Sequence, residues 1–123
     1  MPEVTAKKNE QIGKMNFGSI YPHYLNRIEK HGRTKQELDQ VIRWLTSYNQ
    51  VELESFIDGN GTFGDFFAGA RIHENAHMIK GVVCGYRIEE ISEEFALYRD
   101  CRRMEKLIDE LAKGRKMEKI LRS

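Results

Sequence analysis

His73-Glu74-Asn75-Ala76-His77 spells H-E-x-x-H, the spacing with which zinc hydrolases grip their metal. Two imidazoles one helical turn apart share a face and bind zinc, and the glutamate between them polarises the attacking water. If this chain is a small metal-dependent hydrolase, His73, Glu74 and His77 carry the chemistry. That reading sets two conditions: residues 73–77 must lie inside one helix, and a third protein ligand must reach the metal. Asn75, after Gly69 and a charged turn, reads instead as the cap where a helix starts, which leaves His73 and Glu74 on the preceding loop. His23 and His31 fall in an earlier helix with no motif around them. Glu89, Glu90, Glu93 and Glu94 are what any glutamate-rich surface would offer. The expectation is therefore no catalytic residues, no metal and no cofactor.

Cys84 is the other residue type with reactive potential, and a nucleophile would need His77 beside it. Between Val83 and Gly85, on what reads as an apolar helix, an inert packed thiol is expected. Cys84 and Cys101 are the two cysteines, and both read as reduced, packed thiols of a cytoplasmic protein. Gly81-Val-Val-Cys-Gly85 lacks the Lys and Ser/Thr of a phosphate-cradling loop.

The elements that would position these residues follow from spacing. Residues 1–14 are polar, mixed in charge and without periodicity, and read as a disordered N-terminal extension; residues 15–122 read as one helical domain. A first helix is expected over Ser19–Lys30, capped by Ser19, with Pro22 in its first turn and Tyr21, Tyr24, Leu25 and Ile28 inward. Gly32–Tyr48 carries the clearest signal. Thr34 and Glu37 are spaced as a capping box, and Leu38, Val41, Ile42 and Leu45 recur at the spacing of a buried helical stripe. Trp44 and Tyr48 widen that stripe, so this helix should touch most of the others. Arg33, Asp39 and Arg43 are its charges that packing does not require.

A helix over Asn49–Ile57 and a sharp break at Asp58-Gly-Asn-Gly61 come next. A short helix opened by Thr62 and Asp65 then buries Phe63, Phe66 and Phe67. A fifth helix is expected from the Asn75 cap, carrying Met78, Ile79, Val82 and Val83 to a stop at Gly85. Tyr86–Ile91 reads either as a short extended piece or as a turn of helix. Ser92 caps a long helix to Lys113, and Met117, Ile120 and Leu121 form a last short one. The fold class is all-α, a single-domain bundle of about six helices.

Four blocks stand out as longer signatures: Asn16–Tyr24, His31–Tyr48, Gly81-Val-Val-Cys-Gly-Tyr-Arg-Ile-Glu-Glu-Ile91 and Lys106-Leu-Ile-Asp-Glu-Leu-Ala-Lys113 with its continuation to Arg122. They resemble a family of small uncharacterised prokaryotic proteins, the domain of unknown function 2200. The resemblance runs from Met15 to Arg122. It implies a compact helical cytoplasmic domain with no assigned activity, cofactor or catalytic residue. Residues 1–14 fall outside the pattern, and around Ile72–His77 the pattern looks like a loop, with no ligand pair.

The net charge of +1 gives no global pull towards nucleic acid or an anionic membrane. No apolar run approaches the ~20 residues that span a bilayer. A local excess of cations, five basic residues against one Glu between Lys113 and Arg122, reads as a solvated helix end. Nucleic-acid binding through that end is a second alternative to the main reading. The main reading is a cytoplasmic, non-catalytic binding or accessory protein. Its amphipathic terminal helices would dock an unidentified protein partner or a second copy, and that role calls for an exposed apolar patch.

Overall fold

The computed structural model describes residues 3–122. Among them are seven α-helices and one two-stranded antiparallel ribbon. The helices are α1 (Ala6–Gly13), α2 (Phe17–Glu29), α3 (Lys35–Thr46), α4 (Gln50–Ile57), α5 (Phe63–Ala68), α6 (Ala96–Ala112) and α7 (Met117–Ile120); the strands are β1 (Val82–Val83) and β2 (Tyr86–Arg87). Short 3₁₀ turns over Ala76–Met78, Ile88–Glu90 and Glu93–Phe95 complete the connections. The bundle is all-α in class, with a long helix at α6.

Local chemistry accounts for the helix starts. Thr34 Oγ1 accepts the Glu37 N–H at 3.2 Å while Glu37 returns a carboxylate to the Thr34 N–H at 3.0 Å. The same reciprocal box recurs at Asn49 with Glu52 and at Thr62 with Asp65, so three successive helices start on side chains that satisfy otherwise unpaired amides. Asn16, not Ser19, caps α2, accepting the Ser19 N–H at 3.1 Å. The helix thus starts earlier than expected, and Pro22 sits inside it rather than in its first turn. Gly18 permits this early start: a Cβ there would meet the Ile57 carbonyl oxygen at 2.6 Å, so α2 can enter against the α4–α5 loop only with glycine at that position.

Phe17, Phe63 and Phe66 are fully buried, and Phe66 stacks on Phe17 at 4.3 Å with Tyr48, Phe56 and Phe67 edge-on or tilted around it. The same core continues along α6, where Cys101, Met104, Leu107, Ile108 and Leu111 are buried. Here the hub differs from expectation. α3 packs on α2, α4 and α6, whereas α6 meets α1, α2, α3, α5, α7, β1 and the adjoining 3₁₀ turns. The capping box marks α3 strongly in sequence, but the longer helix offers more face to cover.

Three further expectations are corrected. Residues 1–14 are not a structureless arm: residues 6–13 form α1, which buries Ile12 and ties Asn9 Oδ1 to the Tyr98 N–H at 3.0 Å. Residues 1 and 2 lie outside the described residues. The helix expected from Asn75 to Gly85 is instead a single 3₁₀ turn followed by the β1–β2 hairpin, in register Val82↔Arg87 and Val83↔Tyr86. Cys84 and Gly85 form the tip, both left-handed at φ 51° and 82°, the conformation a two-residue hairpin turn demands. Asp39 is buried rather than exposed, accepting from Tyr21 Oη, from Lys35 Nζ at 2.7 Å and from Gln50 Nε2 at 2.8 Å.

The terminal helices spend their apolar faces on their own chain. Ile120 is fully buried, with Met117 and Leu121 packed beside it. Glu110, 6% exposed, receives Arg115 at 3.0 Å and Arg122 at 2.6 Å. Arg33 also reaches this end, donating to the Arg115 carbonyl at 2.8 Å. No helix of the described residues is long and apolar enough to cross a membrane.

Candidate functional site

The H-E-x-x-H residues are not held as a helical pair. His73 precedes the 3₁₀ turn, and its ring stacks on Trp44 with centroids 4.2 Å apart and planes inclined by 19°. Its Nδ1 accepts the Asn75 N–H at 2.9 Å, which fixes the ring as a turn-former. His77 is exposed, with Nδ1 held 2.9 Å from the Glu74 carbonyl oxygen. Two of the four glutamates suggested as third ligand are occupied elsewhere: Glu89 accepts the Gly81 N–H at 3.0 Å, and Glu93 pairs with Arg99. Among the described residues no group of three or more His, Cys, Asp or Glu is arranged to hold a metal ion. The two histidines should accordingly behave independently. His73→Ala is expected to cost about 1 kcal/mol of stability through loss of the aromatic stack, and His77→Ala to change nothing measurable in a urea unfolding midpoint. A metal pair would instead make both substitutions abolish a stoichiometric zinc signal in elemental analysis.

The reactive side chains collect at the hairpin, where α1, β2 and the first half of α6 meet. Cys84 at the tip is exposed, not packed, and its Sγ donates to Glu105 Oε2 at 3.1 Å. Cys101, one helical turn before Glu105 and buried, lies with its Sγ 3.8 Å from the other carboxylate oxygen. Desolvation and the Glu105 hydrogen bond push the Cys84 thiol above its ordinary range. Burial does the same more strongly for Cys101. Neither sulfur is therefore an activated thiolate of the catalytic kind, and no hydrogen bond joins Cys84 to His77 among the described residues.

Arg102 organises the cluster. Its Nη1 grips both oxygens of Glu105 at 2.7 and 2.8 Å, and its Nη2 donates to Tyr98 Oη at 2.7 Å. Its guanidinium carbon lies 4.7 Å from the Tyr98 ring centroid, close enough for a cation–π contact. Tyr98 meets Tyr86 edge to face at 5.3 Å. From α1, Lys8 Nζ donates to Tyr86 Oη at 2.7 Å, and this bond, with Tyr98 beside it, lowers the Tyr86 phenol below its usual range. Tyr86 occupies one side of a depression of about 450 Å³ lined also by Val4, Arg87, Ile91, Ser92 and Phe95, with Glu3 and Glu90 at the wall. Arg87 is held loosely, its Nε 4.0 Å from Glu90.

Lys8, Tyr86, Tyr98, Arg102 and Glu105 were not singled out by sequence reasoning. The signal for three of them was present as the Tyr98-x-x-x-Arg102-x-x-Glu105 spacing, which places them along one side of α6. Lys8 carried none, because α1 itself was not expected. The basic C-terminal stretch, by contrast, is largely consumed: Arg115 and Arg122 hold Glu110, and Lys113 pairs with Asp109 at 3.0 Å.

A search of curated proteins found no match. Among solved structures, the crystal structure of uncharacterized protein SP1917 is similar, with a TM-score of 0.84 and 34% sequence identity over 91% of each chain. Residues 11–122 match the model of a family described as "uncharacterized protein conserved in bacteria". The chain belongs to that bacterial family, the domain of unknown function 2200.

Proposed function

We propose that this protein is a cytoplasmic binding module without catalytic activity, and that it takes a small carbonyl- or carboxylate-bearing molecule in the depression beside Tyr86. The observation that carries this reading is the Tyr86 hydroxyl. It accepts a hydrogen bond from the Lys8 ammonium at 2.7 Å, so its own O–H is left to donate, and donation is strengthened when the same oxygen accepts from a cation. Val4, Ile91 and Phe95 supply apolar surface, and Arg87 a guanidinium with only a loose internal partner. A few polar groups converging over apolar surface is the usual composition of a small-ligand site.

Absence of catalysis is supported by the state of the reactive groups: both thiols are pushed up, and His73 and His77 have Nδ1 engaged in turn geometry. Unpaired cysteines suit a reducing compartment. Docking of a protein through the terminal helices has less behind it, since their apolar faces are covered internally. Among the described residues, the large apolar side chains left exposed are Met15, Val51, Met78 and Val82, in four separate segments.

Titration with benzoate and phenylacetate, followed by two-dimensional amide NMR, tests the proposal. Saturable shifts confined to residues 3–8 and 86–95, weakened at least severalfold in Tyr86→Phe, are expected. Absence of saturable shifts with either acid, or shifts centred elsewhere, would overturn it.

A further inference from the structure

Cys84 and Cys101 lie at opposite oxygens of a single carboxylate, Sγ to Oε2 at 3.1 Å and Sγ to Oε1 at 3.8 Å. The two side chains come from different elements, a hairpin tip and the middle of α6, that are otherwise joined through β1 packing on α6. The tip is exposed and the helix thiol is buried, so an oxidant meets Cys84 first and Cys101 stands behind it. Cys84 is also held at φ 51°, one of two positive-φ residues other than glycine among those described. Glu105 is the wedge between the sulfurs, and its hold by Arg102 does not depend on either of them.

We infer that Cys84 and Cys101, although neither thiol is activated, form a pair that a hydroperoxide slowly joins as an intramolecular disulfide, with Glu105 as proton acceptor. The Cys84 S–H bond gives its proton to the Glu105 carboxylate, and the sulfur takes the distal oxygen of the hydroperoxide as the O–O bond breaks. The leaving oxygen takes that proton back from Glu105, so water departs when the oxidant is hydrogen peroxide, and Cys84 carries a sulfenic acid. The Cys101 sulfur then attacks the Cys84 sulfur; the S–S bond forms, the S–O bond breaks and a second water departs with the Cys101 proton. Two thiols are oxidised and one peroxide is reduced to two waters. A disulfide needs the two Cβ atoms near 4 Å apart, so the hairpin tip must settle over Cys101 and turn Glu105 out towards Arg102.

This modification does not depend on the ligand proposed above. It is tested on the reduced full chain with hydrogen peroxide, scored by thiol titre and by peptide mapping under non-reducing conditions. The expected result is a titre falling from two to none in a monomer, with a Cys84–Cys101 cross-linked peptide that reducing agent releases. Cys101→Ser should stop at a sulfenic acid on Cys84 that a dimedone probe traps, and Cys84→Ser should keep its thiol. Cross-linking between chains through Cys84, or Cys84 over-oxidised while Cys101 stays reduced in the unsubstituted protein, would overturn the inference. Far-ultraviolet circular dichroism of both variants shows whether either has merely failed to fold.

Discussion

Replacing Phe66 with alanine is expected to bring the protein close to unfolding. The ring is fully buried and stacks on Phe17, with Tyr48, Phe56 and Phe67 against its other sides. Its removal opens a cavity that four aromatic neighbours cannot collapse into without leaving their own contacts. Large-to-small changes of this type cost about 3–5 kcal/mol, against a total stability of roughly 5–15 kcal/mol for a domain of ordinary size. Phe66→Leu keeps most of the volume and should lose clearly less. Urea unfolding followed by circular dichroism distinguishes these outcomes, and an alanine variant with an unchanged midpoint would mean that the aromatic cluster is not the centre of this core.

The second large effect is expected at Asp39. The residue is 3% exposed, and its carboxylate satisfies three donors, Tyr21 Oη, Lys35 Nζ and Gln50 Nε2. Asp39→Ala leaves Lys35 with water and Glu54 as partners, so the lysine loses little. The Tyr21 hydroxyl, inside the core, is left without an acceptor. An orphaned buried donor sets the scale of the loss, about 2 kcal/mol. The sign of the coupling is the sharper prediction. Tyr21→Phe should destabilise the unsubstituted protein by about 1 kcal/mol, yet be neutral or stabilising once Asp39 is alanine. Additive losses in a four-variant urea series would show that the hydroxyl and the carboxylate do not act as a pair.

What could be read in advance divides along physical lines. α3, α4 and α5 announce themselves because a capping box is local: Thr34 with Glu37, Asn49 with Glu52 and Thr62 with Asp65 specify a helix start without any other part of the chain. The hairpin was hidden because Met78, Ile79, Val82 and Val83 fit a helical stripe as well as they fit a short buried strand. What decides against the helix is the Gly81 and Cys84-Gly85 backbone, left-handed at three nearby positions. α1 has almost no apolar pattern; its tethers, Lys8 to Tyr86 and Asn9 to Tyr98, reach residues more than seventy positions away. The burial of Asp39 and Glu110 is equally non-local, since each depends on partners from other segments. The candidate site was missed where it depends on such long-range pairs, Lys8 with Tyr86 and Cys84 with Glu105, while the one motif that looked local and chemical, His73 to His77, is explained by Trp44 and a turn.

The position of α6 as hub has a consequence for how the chain is made. Its first residue, Ala96, follows α1, α2, α3 and α5 in the sequence, and each of these packs on it. Synthesis runs from the N-terminus at roughly 5–20 residues per second, so the apolar faces of those helices leave the ribosome seconds before the surface that covers them. Phe17, Phe63 and Phe66 can gather early, since all belong to segments ahead of α6. Leu38, Val41 and Ile42 lie on α3, which α2 and α4 can cover in part before α6 is made, so only its α6-facing side stays open in that interval.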